Sequence, residues 1–307
     1  MQFGQAGSKR LKMRLDKLLF TFLERDALIS FIHFINDTFR LSGYVIIKKL
    51  KYFLLVFCIS FNAGAVTPAV FGTSSLIPGL GQSFNGHYIE GAGWFITTIG
   101  LMSTNDVVLK NIGQDIWFYN MYDAWKDAGG KPSSDHFIGY EYVQNFNPVK
   151  LADPFSIGFL GVAAASRSSA KNNKDNKNAN ENFDKISTVG SIAMYTFVGL
   201  GEESLFRGFL YPAFSSWLGN WGGAIVSSTA FSFAHLGASS GGNAMRFLAG
   251  MLFCWQYTRN NYQLGANVFA HSWYDQILVG NMSINNSRNE KLSWRDPPLG
   301  LQFSISF

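Results

Sequence analysis

Apolar positions along this chain fall into blocks separated by polar or small-residue breaks. Between residues 186 and 282 the blocks 187–200, 203–218, 221–236, 244–258 and 263–280 predict five helices joined by brief loops. Each block is shorter and more polar than the ~20 apolar residues of a simple membrane span. The pattern is that of an all-α, polytopic membrane helix bundle with a polar interior. Upstream, residues 66–104 hold two apolar stretches broken at Pro78-Gly79-Leu80-Gly81, the signal of a turn between two spans. Residues 105–150 are more polar and carry Trp117, Tyr119, Tyr122 and Trp125, which are expected to lie at a membrane interface. Residues 153–165 form a short apolar run. Residues 166–185 hold six Asn and almost nothing apolar, so they read as a disordered linker and a domain boundary. The end of the chain, 283–307, is polar and then alternates from Leu299 to Phe307, which predicts a short strand.

The resulting organisation is a basic leader over 1–65, a hairpin region over 66–165, the linker 166–185, the bundle 186–282 and a tail over 283–307. Composition sharpens the membrane reading. Only 15% of residues are charged, against about 25% in a soluble domain. Residues 1–51 carry ten Lys/Arg and four Asp/Glu, so the net charge of +5 resides in the leader. A basic leader beside apolar segments reads as the cytoplasmic flank of an integral membrane protein, here one of a bacterial inner membrane in contact with lipid. No basic stripe recurs in the body, so no nucleic-acid partner is expected. Lys48-Lys49-Leu50-Lys51, the run Tyr52–Phe61 and Ala63-Gly64-Ala65 have the order of a secretory signal, and equally that of a first span. Cys58 and Cys254 sit in apolar runs with no CxxC, so no zinc ribbon or redox pair is offered. No GxxxxGK[ST] follows the glycines of 79–91, so no nucleotide is expected. Pro78, Gly79, Gly81, Gln82, Gly86 and Gly91 are better explained by close helix packing.

The candidate chemistry lies in 187–282. This window holds six charged residues, Glu202, Glu203, Arg207, Arg246, Arg259 and Asp275, with His235, His271 and no lysine. Ionisable groups inside apolar segments are costly and are functional candidates by default. On a helix Glu203 and Arg207 are one turn apart and can pair. Glu202 then points roughly 100° away and need not share that arginine. The bland alternative is a solvated helix start with two acids near its positive dipole end. Phe231 precedes His235 by one turn, and a lone histidine there is also what a satisfied core residue looks like. Asn267, His271 and Asp275 fall at i, i+4 and i+8 on one face, as a polar stripe between helices would.

Taken together, E-E-x-x-x-R, F-x-x-x-H and H-x-x-x-D on successive helices resemble the CAAX protease and bacteriocin-processing family of intramembrane proteases. The resemblance covers roughly residues 187–280. It implies an all-α membrane bundle that hydrolyses peptide bonds of a peptide or protein substrate. Glu202, His235, His271 and Asp275 are then the catalytic groups. Glu203, Arg207, Phe231 and Asn267 support them. The residue types agree with that chemistry: Glu202 can activate water, His235 can hold it, and His271 can donate to the oxyanion. Relatives often carry Asn at the last motif position. Asp275, when ionised, only accepts hydrogen bonds, so it is expected to orient His271 or to bind a metal. No cofactor is expected. Zinc on Glu202, His235 and His271 is the metal-dependent variant, although no HExxH occurs. The alternative reading is a non-catalytic membrane immunity or scaffold protein.

Overall fold

The computed structural model describes residues 67–133, 136–172, 186–235 and 240–280, all within one unit spanning Val66–Phe303. The expected signal-like segment, the tail strand and most of the expected linker lie outside the described residues. Most described residues are helical, the rest turns and short connections, and no strand occurs among the described residues, in keeping with the all-α expectation. The helices are α1 (Pro68–Ser74), α2 (Leu80–Phe84), α3 (Tyr88–Met102), α4 (Val107–Asp127), α5 (Ile138–Val143), α6 (Pro154–Asn172), α7 (Thr188–Glu203), α8 (Tyr211–Ala234), α9 (Ser240–Arg259) and α10 (Gly265–Asp275). Helix α6 runs on through Asn172, into the stretch expected to be linker. No helix of the described residues is long and apolar enough to cross a membrane.

Local chemistry starts these helices where the pattern puts them. Asp106 caps α4 by accepting from the Leu109 amide at 2.9 Å, and Ser187 caps α7 by accepting from the Gly190 amide at 3.1 Å. The expected break near 219–220 is real: Gly219 has φ 72°, ψ 168° inside α8. The expected break near 201 is absent. Helix α7 passes through Glu203 into a π-helical stretch, Ser204–Leu210, and on into α8.

Helix α4 is the centre of the packing. From Gly113 to Trp125 nearly all of its residues are buried. Tyr119, Tyr122 and Trp125 are therefore core side chains, which corrects the interfacial expectation. Tyr119 and Tyr122 meet edge to face at 5.7 Å, and Trp125 lies 6.2 Å from Phe209. Of the four, only Trp117 stays partly exposed; it donates to the Ser75 carbonyl at 2.8 Å. Around α4 the hairpin closes through small residues. Gly79 has φ 76°, its amide donates to Asn120 Oδ1 at 2.9 Å, and a Cβ there would land on the Gly91 backbone. Gln82 is buried and donates to Asp123 at 3.1 Å.

Gly79→Ala is expected to destabilise the fold by about 1–3 kcal/mol through overpacking. Gly93→Ala, on α3 with open space around its Cβ, is expected to be neutral or to stabilise by up to ~1 kcal/mol. Thermal unfolding of the two variants checks the contrast.

Candidate active site

Helix α7 ends in two adjacent acids, both fully buried, so the solvated helix-start alternative does not hold. Glu203 faces a crowded polar network. Arg207 Nη1 donates to its Oε1 at 3.0 Å, His271 Nδ1 lies 2.7 Å from the same oxygen, and Asn267 Nδ2 donates to Oε2 at 3.2 Å. Asn267 also donates to the Phe253 carbonyl at 2.8 Å, which ties α9 to α10. The Arg207 guanidinium lies 4.4 Å from the Phe231 ring centroid and 4.9 Å from that of Phe253. Aromatic faces and one carboxylate thus take the place of water around a buried cation. The arginine lies on the π-helical stretch, a local widening of the helix that is frequent at functional sites.

Glu202 turns to the other side, as the helical spacing predicts. Its Oε2 is 3.6 Å from His271 Nε2 and 3.9 Å from His235 Nε2. His271 Nε2 is also 3.6 Å from Asp275 Oδ2. The structure therefore brings Glu202, His235, His271 and Asp275 together in one buried place, although they come from three helical segments. Glu203, Arg207, Phe231 and Asn267 surround them.

The second nitrogen of each histidine fixes its ring. His235 Nδ1 is 2.7 Å from the Phe231 carbonyl. A carbonyl only accepts, so this nitrogen carries the hydrogen and the Nε2 lone pair faces the site. His271 Nδ1 likewise donates to Glu203. Neither Nε2 has a hydrogen-bond partner in the protein. His271 is thus backed by a carboxylate, an arrangement that orients an imidazole and supports its cation once a proton arrives.

Phe253 is a member that sequence reasoning missed. Its ring stacks on His271 at 5.5 Å and on Arg207. Nothing distinguishes it in sequence from the other apolar residues of its run. Elsewhere, among the described residues, His87, Glu90 and Asp127 form the single His/Asp/Glu group whose ligand atoms all lie within 4.8 Å of one another, and they are exposed. Glu202, His235 and His271 stand wider apart than that.

Two buried acids and two imidazoles thus share one polar site in an all-helical frame. Residues 185–277, just under a third of the chain, match the model of the Rce1-like family, described as type II CAAX prenyl endopeptidase. All three motifs fall inside that segment, in agreement with the resemblance read from their spacing. No match was found among curated proteins or solved structures.

Arg207→Ala leaves the Glu203 charge buried and uncompensated, and is expected to destabilise by about 3–5 kcal/mol. Arg207→Lys keeps the charge but loses the flat stacking between Phe231 and Phe253, and is expected to fall between the two. Thermal melts of both variants beside the parent check the order.

Proposed function

We propose that this protein is a membrane-embedded endopeptidase in which Glu202 activates water against a peptide bond. One observation carries the reading: Glu202 Oε2 faces Nε2 of both His235 and His271 within 4 Å, inside a segment matched to a protease family. In the reaction Glu202 removes a proton from water as its oxygen bonds to the scissile carbonyl carbon. The His235 Nε2 lone pair accepts from the same water and orients it. A proton held on His271 Nε2, supported by Glu203 behind it, faces the developing oxyanion. The carbon–nitrogen bond then breaks, and the leaving amine takes the proton that Glu202 removed. Asp275, beside His271, positions that ring.

Glu202, His235 and His271 offer the oxygen and nitrogen donors that zinc takes, and a bound ion would add a Lewis acid. One ion would need the three drawn closer than they stand, so no step is assigned to it. The membrane reading is supported by outward-facing apolar side chains. Met245, Leu248, Leu252 and Trp255 make one exposed stripe along α9, and Trp217 and Trp221 stand exposed at the break in α8. Interfacial tryptophans and apolar outer faces are what lipid contact requires. Buried polar residues of α4, α7 and α10 lower the apolar content of those helices without facing outward. The substrate proposed is a peptide or protein segment presented at the membrane.

Comparative proteomics of membrane fractions from cells carrying the parent or Glu202→Ala tests the reading. The expected result is a set of full-length proteins that accumulate only with the variant. Identical peptide patterns would contradict it. In purified protein Glu202→Gln is expected to lower hydrolysis at least ~100-fold, the scale of a lost general base. Hydrolysis by the parent is expected to survive exhaustive chelation; loss on chelation with recovery on added zinc would overturn the metal-free mechanism.

A further inference from the structure

The group His87, Glu90 and Asp127 lies outside the buried site and outside the matched segment, which begins at residue 185. Two helices build it. His87 and Glu90 are three residues apart at the start of α3, so they share one face of its first turn. Gly86, with φ 89°, turns the chain into that helix, and the His87 amide donates to the Gln82 carbonyl at 2.9 Å. Asn85 Nδ2 donates to the Asp127 carbonyl at 3.2 Å, which fixes this turn against the last residue of α4. Glu90 Oε1 accepts from Trp94 Nε1 at 3.4 Å, and Oε2 is turned to His87. On α4, Asp123 and Asp127 are one turn apart and repel. Asp123 takes Gln82 and Lys126 as partners, whereas Asp127 turns to His87.

His87 Nδ1 is 3.6 Å from Glu90 Oε2 and 3.4 Å from Asp127 Oδ2, and the three ligand atoms all lie within 4.8 Å of one another. Both printed separations exceed the roughly 2.7–3.2 Å of an N–H···O hydrogen bond. They match the spacing of two ligands on one tetrahedral zinc ion. Bonds of about 2.0–2.2 Å at the tetrahedral angle put ligand atoms roughly 3.3–3.6 Å apart. One imidazole nitrogen with two carboxylate oxygens is also a donor set that zinc takes. The side chains of His87 and Glu90 are about half exposed, so an ion has a path in and water can complete its coordination.

We infer that His87, Glu90 and Asp127 form a structural site for a divalent transition metal, with zinc as the ion that fits. The ion ties the start of α3 to the end of α4 and so fastens the hairpin to the helix at the centre of the packing. His87 binds through the Nδ1 lone pair, with its hydrogen on Nε2. The site takes no part in the proteolytic reading and stands or falls without it.

The test is thermal unfolding of detergent-solubilised full-length protein, stripped with a chelator and then titrated with zinc chloride alone. Competition against a chromophoric zinc chelator gives the affinity. Tm of the parent is expected to rise by roughly 5 °C at saturation. His87→Ala and Asp127→Asn are expected to abolish the rise and to weaken zinc binding at least ~10-fold, since even outer-shell partners of a metal are worth that much. Glu202→Ala, which removes the acid of the buried site, is expected to keep the rise. A Tm that does not climb with zinc, or a climb that survives His87→Ala, overturns the inference. Should His87→Ala fail to fold, Glu90→Gln decides at a second ligand: loss of the rise supports the site, and retention overturns it. X-ray absorption at the zinc edge of the loaded protein is expected to show one imidazole among oxygen ligands; two imidazoles would overturn the assignment.

Discussion

One carboxylate holds this site together. Glu203 receives hydrogen bonds from Arg207 on the π-helical stretch and from His271 and Asn267 on α10, and Asn267 passes the connection on to the α9 backbone. Three helical segments therefore meet at a single side chain that is shut off from water, and a fourth, α9, is tied to them through Asn267. A charge in such a place is tolerable only with every partner present, and losing one exposes the desolvation cost of the rest. That constraint explains why the arginine is flanked by phenylalanine rings and why the polar stripe of α10 faces inward.

The functional consequence is a division of labour between two neighbours in sequence. Consecutive positions on a helix diverge by roughly 100°. Glu203 is committed to structure, and Glu202 faces the two imidazoles. The histidines are equally specialised. Each spends Nδ1 on a fixed acceptor, a carbonyl for His235 and Glu203 itself for His271, and each turns Nε2 inward. Ring orientation is thus decided by groups that touch no substrate. A polar cluster serving only to join helices would satisfy its own atoms, whereas here two ring nitrogens are directed at a common carboxylate without completing a hydrogen bond.

Much of this was legible in the residues. The apolar blocks of 187–280 correspond to α7 through α10, and Gly219 marks the break between two of them. The spacing of Glu203 and Arg207 predicted their pairing, and the spacing of Asn267, His271 and Asp275 predicted one face. Other features left no signal in the sequence. The π-helical stretch carries no composition cue, so a helix break was expected where the chain continues. Phe253 looks like any apolar residue of its run until the fold stacks it on His271. Tyr119, Tyr122 and Trp125 suit a membrane interface and a protein core equally well by residue type, and the hairpin and the π-helical stretch packed around α4 decide for the core.

The split between the two acids is the feature on which the site's chemistry depends. Its most direct measurement compares Glu202→Gln with Glu203→Gln in one preparation, following thermal unfolding and peptide hydrolysis together. The account predicts that the first variant melts like the parent and does not hydrolyse peptide, while the second melts several degrees lower because the Arg207 cation has lost its counter-charge. A Glu203→Gln protein as stable as the parent, or a Glu202→Gln protein that still cleaves peptide at the parental rate, would contradict it.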